Sequence, residues 1–118
     1  MQTYERFNVE RVNDMVVLRL RDTHLLDPHT TTELMNEVMD FISLHRPEVI
    51  TITFEYVKRF STDVVNALLM IREQIVYYGG RLILCEMRSE IRDVFRLLSL
   101  NFEIHETLHE ALDASTTV

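Results

Sequence analysis

Val49-Ile50-Thr51-Ile52-Thr53-Phe54 is followed, four residues later, by Arg59-Phe60-Ser61-Thr62-Asp63-Val64-Val65-Asn66-Ala67-Leu68-Leu69. The first run is β-branched and apolar, and predicts a strand. In the second, Val64, Val65, Leu68 and Leu69 start a series that continues through Ile71, Ile75 and Val76. That spacing predicts a strongly apolar helix, buried on more than one side. Two hydroxyl residues, Ser61 and Thr62, therefore stand at a strand-to-helix turn. The free N–H groups of a first helical turn favour an anion there. Either residue could equally serve as a plain N-cap. A phosphate added at this turn would meet partial positive charge and change how the surface docks on a partner.

Upstream of this unit, residues 7–12 and 15–20 read as two strands joined by the turn pair Asn13-Asp14, hence a hairpin. Asp27-Pro28 marks a helix start, with Asp as cap and Pro in the first turn. Leu34, Met35, Val38, Met39 and Ile42 give that helix its apolar face, and Pro47 ends it by disfavouring helical geometry at Arg46. Downstream, Gly79-Gly80 stops the second helix. Residues 81–85 form a further strand. Ser89 is expected to cap a helix with Ile91, Val94, Phe95 and Leu98 on one face. Residues 102–104 give a short strand, and Thr107 opens a last short helix. The tail 115–118 is expected to fray. The order β-β-α-β-α-β-α-β-α predicts an α/β fold, a mixed sheet of about four to five strands with helices packed against it. No linker or repeat divides residues 1–118, so a single domain is expected.

Composition narrows the function. The chain has 118 residues, 47% of them apolar, which is enough for a real core. No apolar run reaches the length of a membrane span, and the N-terminus lacks a signal-peptide core. The one cysteine, Cys85, lies within an apolar strand and reads as a buried thiol. These features point to the cytoplasm. The net charge of −7 argues against nucleic acid as the main partner.

Other motifs carry less. His105-Glu106-Thr107-Leu108-His109 matches H-E-x-x-H literally, which leaves a zinc hydrolase as a remote alternative. That chemistry needs both histidines on one helix face, whereas Thr107 to Glu110 reads as a capping box that starts the helix after His105. Arg88, Arg92 and Arg96 form a basic stripe, read as a solvated face with local pairs to Glu90 and Asp93. Met35, Met39 and Met70 occupy apolar helical positions and read as core. No Gly-rich phosphate loop, catalytic triad or cofactor motif is present, and no catalytic residue, metal ligand or cofactor is assigned.

Four pieces together resemble the STAS domain, the family of anti-sigma factor antagonists. Asp27 follows Leu25-Leu26 as that family's leucine-aspartate pair follows its second strand. The segment from Val57 through Leu69 is similar to the family's Val-x-Phe-Ile-Asp-Ser-Ser-Gly-Leu-Gly-x-Leu-Leu. Gly79-Gly80-Arg81-Leu82-Ile83-Leu84-Cys85 resembles its glycine pair and following strand. Val94-Phe95-Arg96-Leu97-Leu98-Ser99-Leu100, with Glu110-Ala111-Leu112, resembles its closing helix and Glu-Ala-Leu ending.

The resemblance implies a non-enzymatic protein-binding module. In that family the first serine of Asp-Ser-Ser-Gly is phosphorylated by a partner kinase, often also an anti-sigma factor, and the unphosphorylated form binds that partner. Aligned on Val57 and Leu68-Leu69, this position falls on Thr62, with Ser61 as the alternative acceptor. Ser61 stands in place of Asp, Asp63 in place of the second Ser, Val64 in place of Gly, and Thr53 in place of a strand-end Asp. Asp27, Ser61, Thr62, Asp63 and Asn66 are the expected partner-binding residues. The partner is expected to be an anti-sigma factor of the serine kinase type or a STAS assembly. The substitutions leave open a constitutive scaffold or subunit of a larger assembly. Both monomer and homodimer are compatible with the sequence.

Overall fold

A computed structural model describes residues 4–13 and 15–116. Among them the chain runs β1 (Phe7–Val12), β2 (Met15–Leu20), β3 (His24–Leu25), α1 (Pro28–His45), β4 (Val49–Thr53), β5 (Arg59–Phe60), α2 (Thr62–Tyr77), β6 (Arg81–Cys85), α3 (Ser89–Leu97), β7 (Glu103–His105) and α4 (Leu108–Ser115). The main sheet has five strands in the order β1-β2-β4-β6-β7, with β1 antiparallel to β2 and the other pairs parallel. This is the expected mixed α/β architecture. The hairpin turn has Asn13 at φ 58°, while its predicted partner Asp14 lies outside the described residues. The end of the tail, residues 117–118, also lies outside them, and Ser115 closes α4 instead of fraying.

Strand alternation sends Val16, Leu18, Leu20, Ile50, Ile52, Leu82 and Leu84 into one core with the apolar faces of α1, α2 and α3. The opposite face carries Ile83 and Cys85 against Ala111 of α4, flanked by Val49 and Leu108. The central strands are buried on both sides, which is why β4 and β6 read as near-continuous apolar runs.

The helix ends follow local chemistry. Asp27 caps α1 by accepting the N–H of His29 at 2.9 Å and of Thr30 at 3.4 Å, as expected from Asp-Pro. At the end of α2 the cap residue is Tyr78. Gly79 N–H donates to Val76 and Gly80 N–H to Ile75, the paired bonds of a Schellman motif, with Gly79 at φ 78°. The same pair recurs after α3, where Ser99 donates to Arg96 and Leu100 to Phe95. Here the left-handed position, φ 54°, is filled by Ser99. A serine pays about 1 kcal/mol for that conformation, partly offset by the entropy glycine loses on folding. Ser99→Gly is therefore expected to raise stability by about 0.5 kcal/mol in urea denaturation, with no change in m. A destabilised variant would show that the left-handed cap is not as described.

Four local expectations need correction. Ser89 does not cap α3: Arg88 holds the extended cap conformation and Ser89 is already helical. The final strand is β7 at Glu103–His105, so it includes His105. Met70 is 49% exposed rather than core, although Met35 and Met39 do pack against the core. Helix α2, buried on two sides as expected, nevertheless leaves Val76 63% exposed, as it does Tyr77 beside it at 80%. It packs on the sheet and on α1, and its outer face stays open.

Candidate functional site

The C-terminal ends of the parallel strands form one edge of the molecule, and the turns into α1, α2 and α3 leave from it. In open α/β sheets this edge is where ligands and partners are usually met. Two of the turns are joined by a second sheet that sequence reading did not find. His24 pairs with Arg59 and Leu25 with Phe60 in a two-residue parallel ladder. Lys58 N–H donates to Thr23 at 2.7 Å and Ser61 N–H to Leu25 at 2.9 Å. Beneath the ladder Leu25, Phe54 and Val57 are fully buried. The effect is to hold the N-termini of α1 and α2 side by side, with Asp27 and Ser61 as their respective caps.

The two caps differ. Both carboxylate oxygens of Asp27 are engaged, one with the backbone N–H groups of His29 and Thr30 and the other with the Thr30 hydroxyl. The Thr30 hydroxyl, more than any other contact, holds this exposed carboxyl below its usual range. Ser61 has the extended cap backbone, φ −91° and ψ 168°, but its hydroxyl makes no cap bond. The Ser61 Oγ is buried and has no hydrogen-bond partner. Thr62 is the first helical residue and is exposed, as are Asp63 and Asn66. Thus Thr62 is the accessible hydroxyl and Ser61 the enclosed one. Asp63 sits in the first turn, where a negative charge complements the helix dipole.

Between α1 and α2 runs an open groove of about 250 Å3. Pro28, Thr31, Thr32 and Met35 form one wall, and Asp63, Asn66, Ala67 and Met70 the other. It brings Asp63 and Asn66 together with two methionines that the sequence reading had placed in the core. Methionine is an adaptable lining for a docking surface. The signal for Met70 was available: it lies two positions from the helix face that carries Leu68 and Ile75.

The remaining candidates lie elsewhere. His105 is in β7, with Nε2 3.0 Å from Glu103, whose carboxylate is also bound by Arg81 and lies below its usual range mainly for that reason. His109 is exposed on α4 and pairs with Asp113 at 3.4 Å. The H-E-x-x-H residues are thus split between a strand and a helix. Among the described residues no group of three or more His, Cys, Asp or Glu could hold a metal. Cys85 is fully buried, and burial pushes its thiol up to about 11, which leaves it un-ionised at neutral pH. In the basic stripe, Arg96 pairs with Asp93 as expected, but Arg92 reaches across to Glu106 at 3.1 Å instead of pairing along its own helix.

A family model for the STAS domain matches residues 6–113. The chain belongs to the STAS family. The fold agrees with solved STAS structures. The anti-sigma factor antagonist SpoIIAA in its unphosphorylated form superposes with a TM-score of 0.72 at 24% identity, covering 95% of this chain and 99% of that one. The Bacillus cell fate determinant SpoIIAA in the phosphorylated form gives 0.71 at 25% identity, covering 92% and 98%. An anti-sigma factor antagonist from Mycobacterium paratuberculosis gives 0.78 at 19% identity, covering 92% and 91%. No curated protein matches the sequence. Within this STAS fold the turn bearing Ser61 and Thr62 occupies the strand-to-helix junction beside the Asp27 cap. Among the described residues no helix is long and apolar enough to cross a membrane.

Proposed function

We propose that the 118-residue chain acts as a single cytoplasmic, non-enzymatic STAS module that binds a protein partner and is switched by phosphorylation at Thr62. The partner would be an anti-sigma factor of the serine kinase type. The observation that carries the reading is the contrast at the α2 N-terminus: the Thr62 side chain is exposed, while the Ser61 hydroxyl is enclosed. A kinase must reach the hydroxyl it modifies, so accessibility favours Thr62 as acceptor over Ser61. Phosphate would add about two negative charges next to Asp63, at the rim of the groove shared by α1 and α2. Asp27, Ser61, Asp63 and Asn66 would form the docking surface around it. Two phosphorylation states of SpoIIAA are known as structures of this fold, which makes such a switch compatible with it.

The test is phosphopeptide mapping of the protein isolated from its own cells. Trypsin releases residues 60–72, whose only hydroxyl residues are Ser61 and Thr62. Phosphate on Thr62 is expected, and Thr62→Glu is expected to lower affinity for the modifying kinase at least tenfold while Thr62→Ala retains it, a difference of about 1.4 kcal/mol. A second reading, a constitutive scaffold within a larger assembly, is favoured by Asp63, a fixed carboxylate already present beside Thr62. Absence of phosphate under growth, starvation and stress, with equal binding by both variants, would select it.

A further inference from the structure

A groove between α3 and the turn from β7 into α4 joins the basic stripe to an apolar surface. It is open, with a volume of about 310 Å3, the size of a small-molecule site. Arg92 and Arg96 line it from α3, and His105 and Glu106 from the end of β7. Leu100 and Ile104, both partly buried, supply its apolar lining together with the buried ring of Phe95. Arg88, at the start of the stripe, does not line it. The lining thus holds two guanidinium groups and one carboxylate, an excess of one positive charge in a chain of net charge −7. Neither arginine is fully served. Arg92 Nη1 donates to Glu106 at 3.1 Å, while Arg92 Nε is enclosed without a hydrogen-bond partner. Glu106 is exposed, so this pair contributes little. Arg96 meets Asp93 only at 3.6 Å, and both side chains are exposed. His105 Nε2 is engaged with Glu103 at 3.0 Å.

We propose that this groove binds a small organic monocarboxylate with an apolar body. The carboxylate displaces Glu106 from Arg92 and takes the guanidinium by two bonds where Glu106 makes one, with Arg96 as the second cation. The apolar body lies on Leu100 and Ile104 and removes their exposed surface from water. One negative charge matches the excess of one positive charge, whereas a phosphate dianion would leave a charge uncompensated beside Glu106. Glu106 is therefore an internal competitor for the site, and removing its charge strengthens binding.

The groove is not isolated from the candidate docking surface. Phe95, part of its lining, is the ring on which Phe60 stacks, and Phe60 directly precedes Ser61 and Thr62. A bound acid thus lies one ring away from the α2 turn. The inference does not rest on phosphorylation at Thr62.

Titration of the full chain with phenylacetate, followed by NMR amide shifts, tests it. Saturating shifts centred on residues 92–106 are expected, with a Kd on the order of 1 mM for a ligand of this size. Phenethyl alcohol keeps the ring without the charge, and acetate keeps the charge without the ring. Each is expected to bind roughly tenfold more weakly or worse. Arg92→Gln is expected to lower phenylacetate affinity by about tenfold and Arg96→Gln by about threefold, while Glu106→Gln raises it by about threefold. Arg88→Gln removes the same charge from the same helix outside the groove, and is expected to change affinity by less than about twofold. Should Arg92→Gln fail to fold, Arg96→Gln and Glu106→Gln, both at exposed side chains, still decide. No saturation below about 20 mM overturns the proposal. So do shifts centred on the groove between α1 and α2, acetate or phenethyl alcohol binding as tightly as phenylacetate, an Arg88→Gln loss equal to that of Arg96→Gln, or weaker binding by Glu106→Gln.

Discussion

Replacing Phe95 with alanine is expected to cost about 4 kcal/mol, the largest loss from any single truncation on the α3 side of the core. Phe95 is 2% exposed and stands between two other rings. Phe60 stacks on it at 5.9 Å, nearly parallel, and Phe102 meets it edge-on at 5.4 Å. Its carbonyl also receives the Leu100 N–H that closes α3. Truncation would thus remove two aromatic pairs, each worth about 0.5–1.5 kcal/mol beyond area burial, and leave a cavity next to a helix cap. The effect would extend to the site, because Phe60 directly precedes Ser61 and would lose the surface it lies on. Urea denaturation should show the stability loss, and hydrogen exchange should show faster opening at residues 60–63. Phe95→Leu keeps most of the volume and should recover more than half of the loss. A cost below about 1 kcal/mol for the alanine variant would mean that the three rings do not form one cluster.

The sheet and its helices were legible because the relevant signals are long and regular. β4 is a run of β-branched residues and β6 is apolar after Arg81, and α1 and α2 carry apolar residues at helical spacing with Asp27-Pro28 and Gly79-Gly80 as punctuation. The β3–β5 ladder was not legible. Two-residue strands have no period, and His24-Leu25 and Arg59-Phe60 pair only because distant parts of the chain bring them together. Yet this ladder sets the site, since it places the two helix caps next to each other. The Ser61–Thr62 turn could be located from sequence, but not which hydroxyl is accessible. That depends on the burial of Ser61 Oγ by tertiary packing. The H-E-x-x-H match shows the converse. Its letters fit a metal site, but the capping box at Thr107, whose hydroxyl accepts the Glu110 N–H at 3.1 Å, starts the helix too late to include His105. Local helix-start chemistry outweighed the motif. Glu86 adds a second bond there that no pattern announced, its carboxylate accepting the Leu108 N–H from the end of β6.

Gly80→Ala is expected to be the more damaging of the two glycine substitutions, although Gly79 is the residue with the unusual backbone. A Cβ on Gly80 would come within 2.9 Å of the Pro47 carbonyl oxygen and 3.0 Å of Ile75 Cγ2. The first of these is backbone, in the turn that leads into β4, and cannot rotate away. The neighbouring Arg81 N–H is bonded to the Glu48 carbonyl at 2.8 Å, so moving Gly80 would also strain the start of β6. Overpacking of this kind costs about 1–3 kcal/mol, and a site closed by backbone on one side belongs near the top of that range. At Gly79 nothing lies within 4 Å of a new Cβ, and the cost is only that of a left-handed alanine, about 1 kcal/mol. Thermal unfolding should therefore separate them, with the midpoint lowered by roughly 10 °C for Gly80→Ala and by less than half as much for Gly79→Ala. The order of the two shifts is the informative quantity. If Gly79→Ala proves the worse, backbone conformation governs this joint and the close approach of α2, the Pro47 turn and β6 does not. If Gly80→Ala is worse, the glycine pair is kept for two separate reasons: Gly79 turns the chain, and Gly80 lets two strands and a helix end meet.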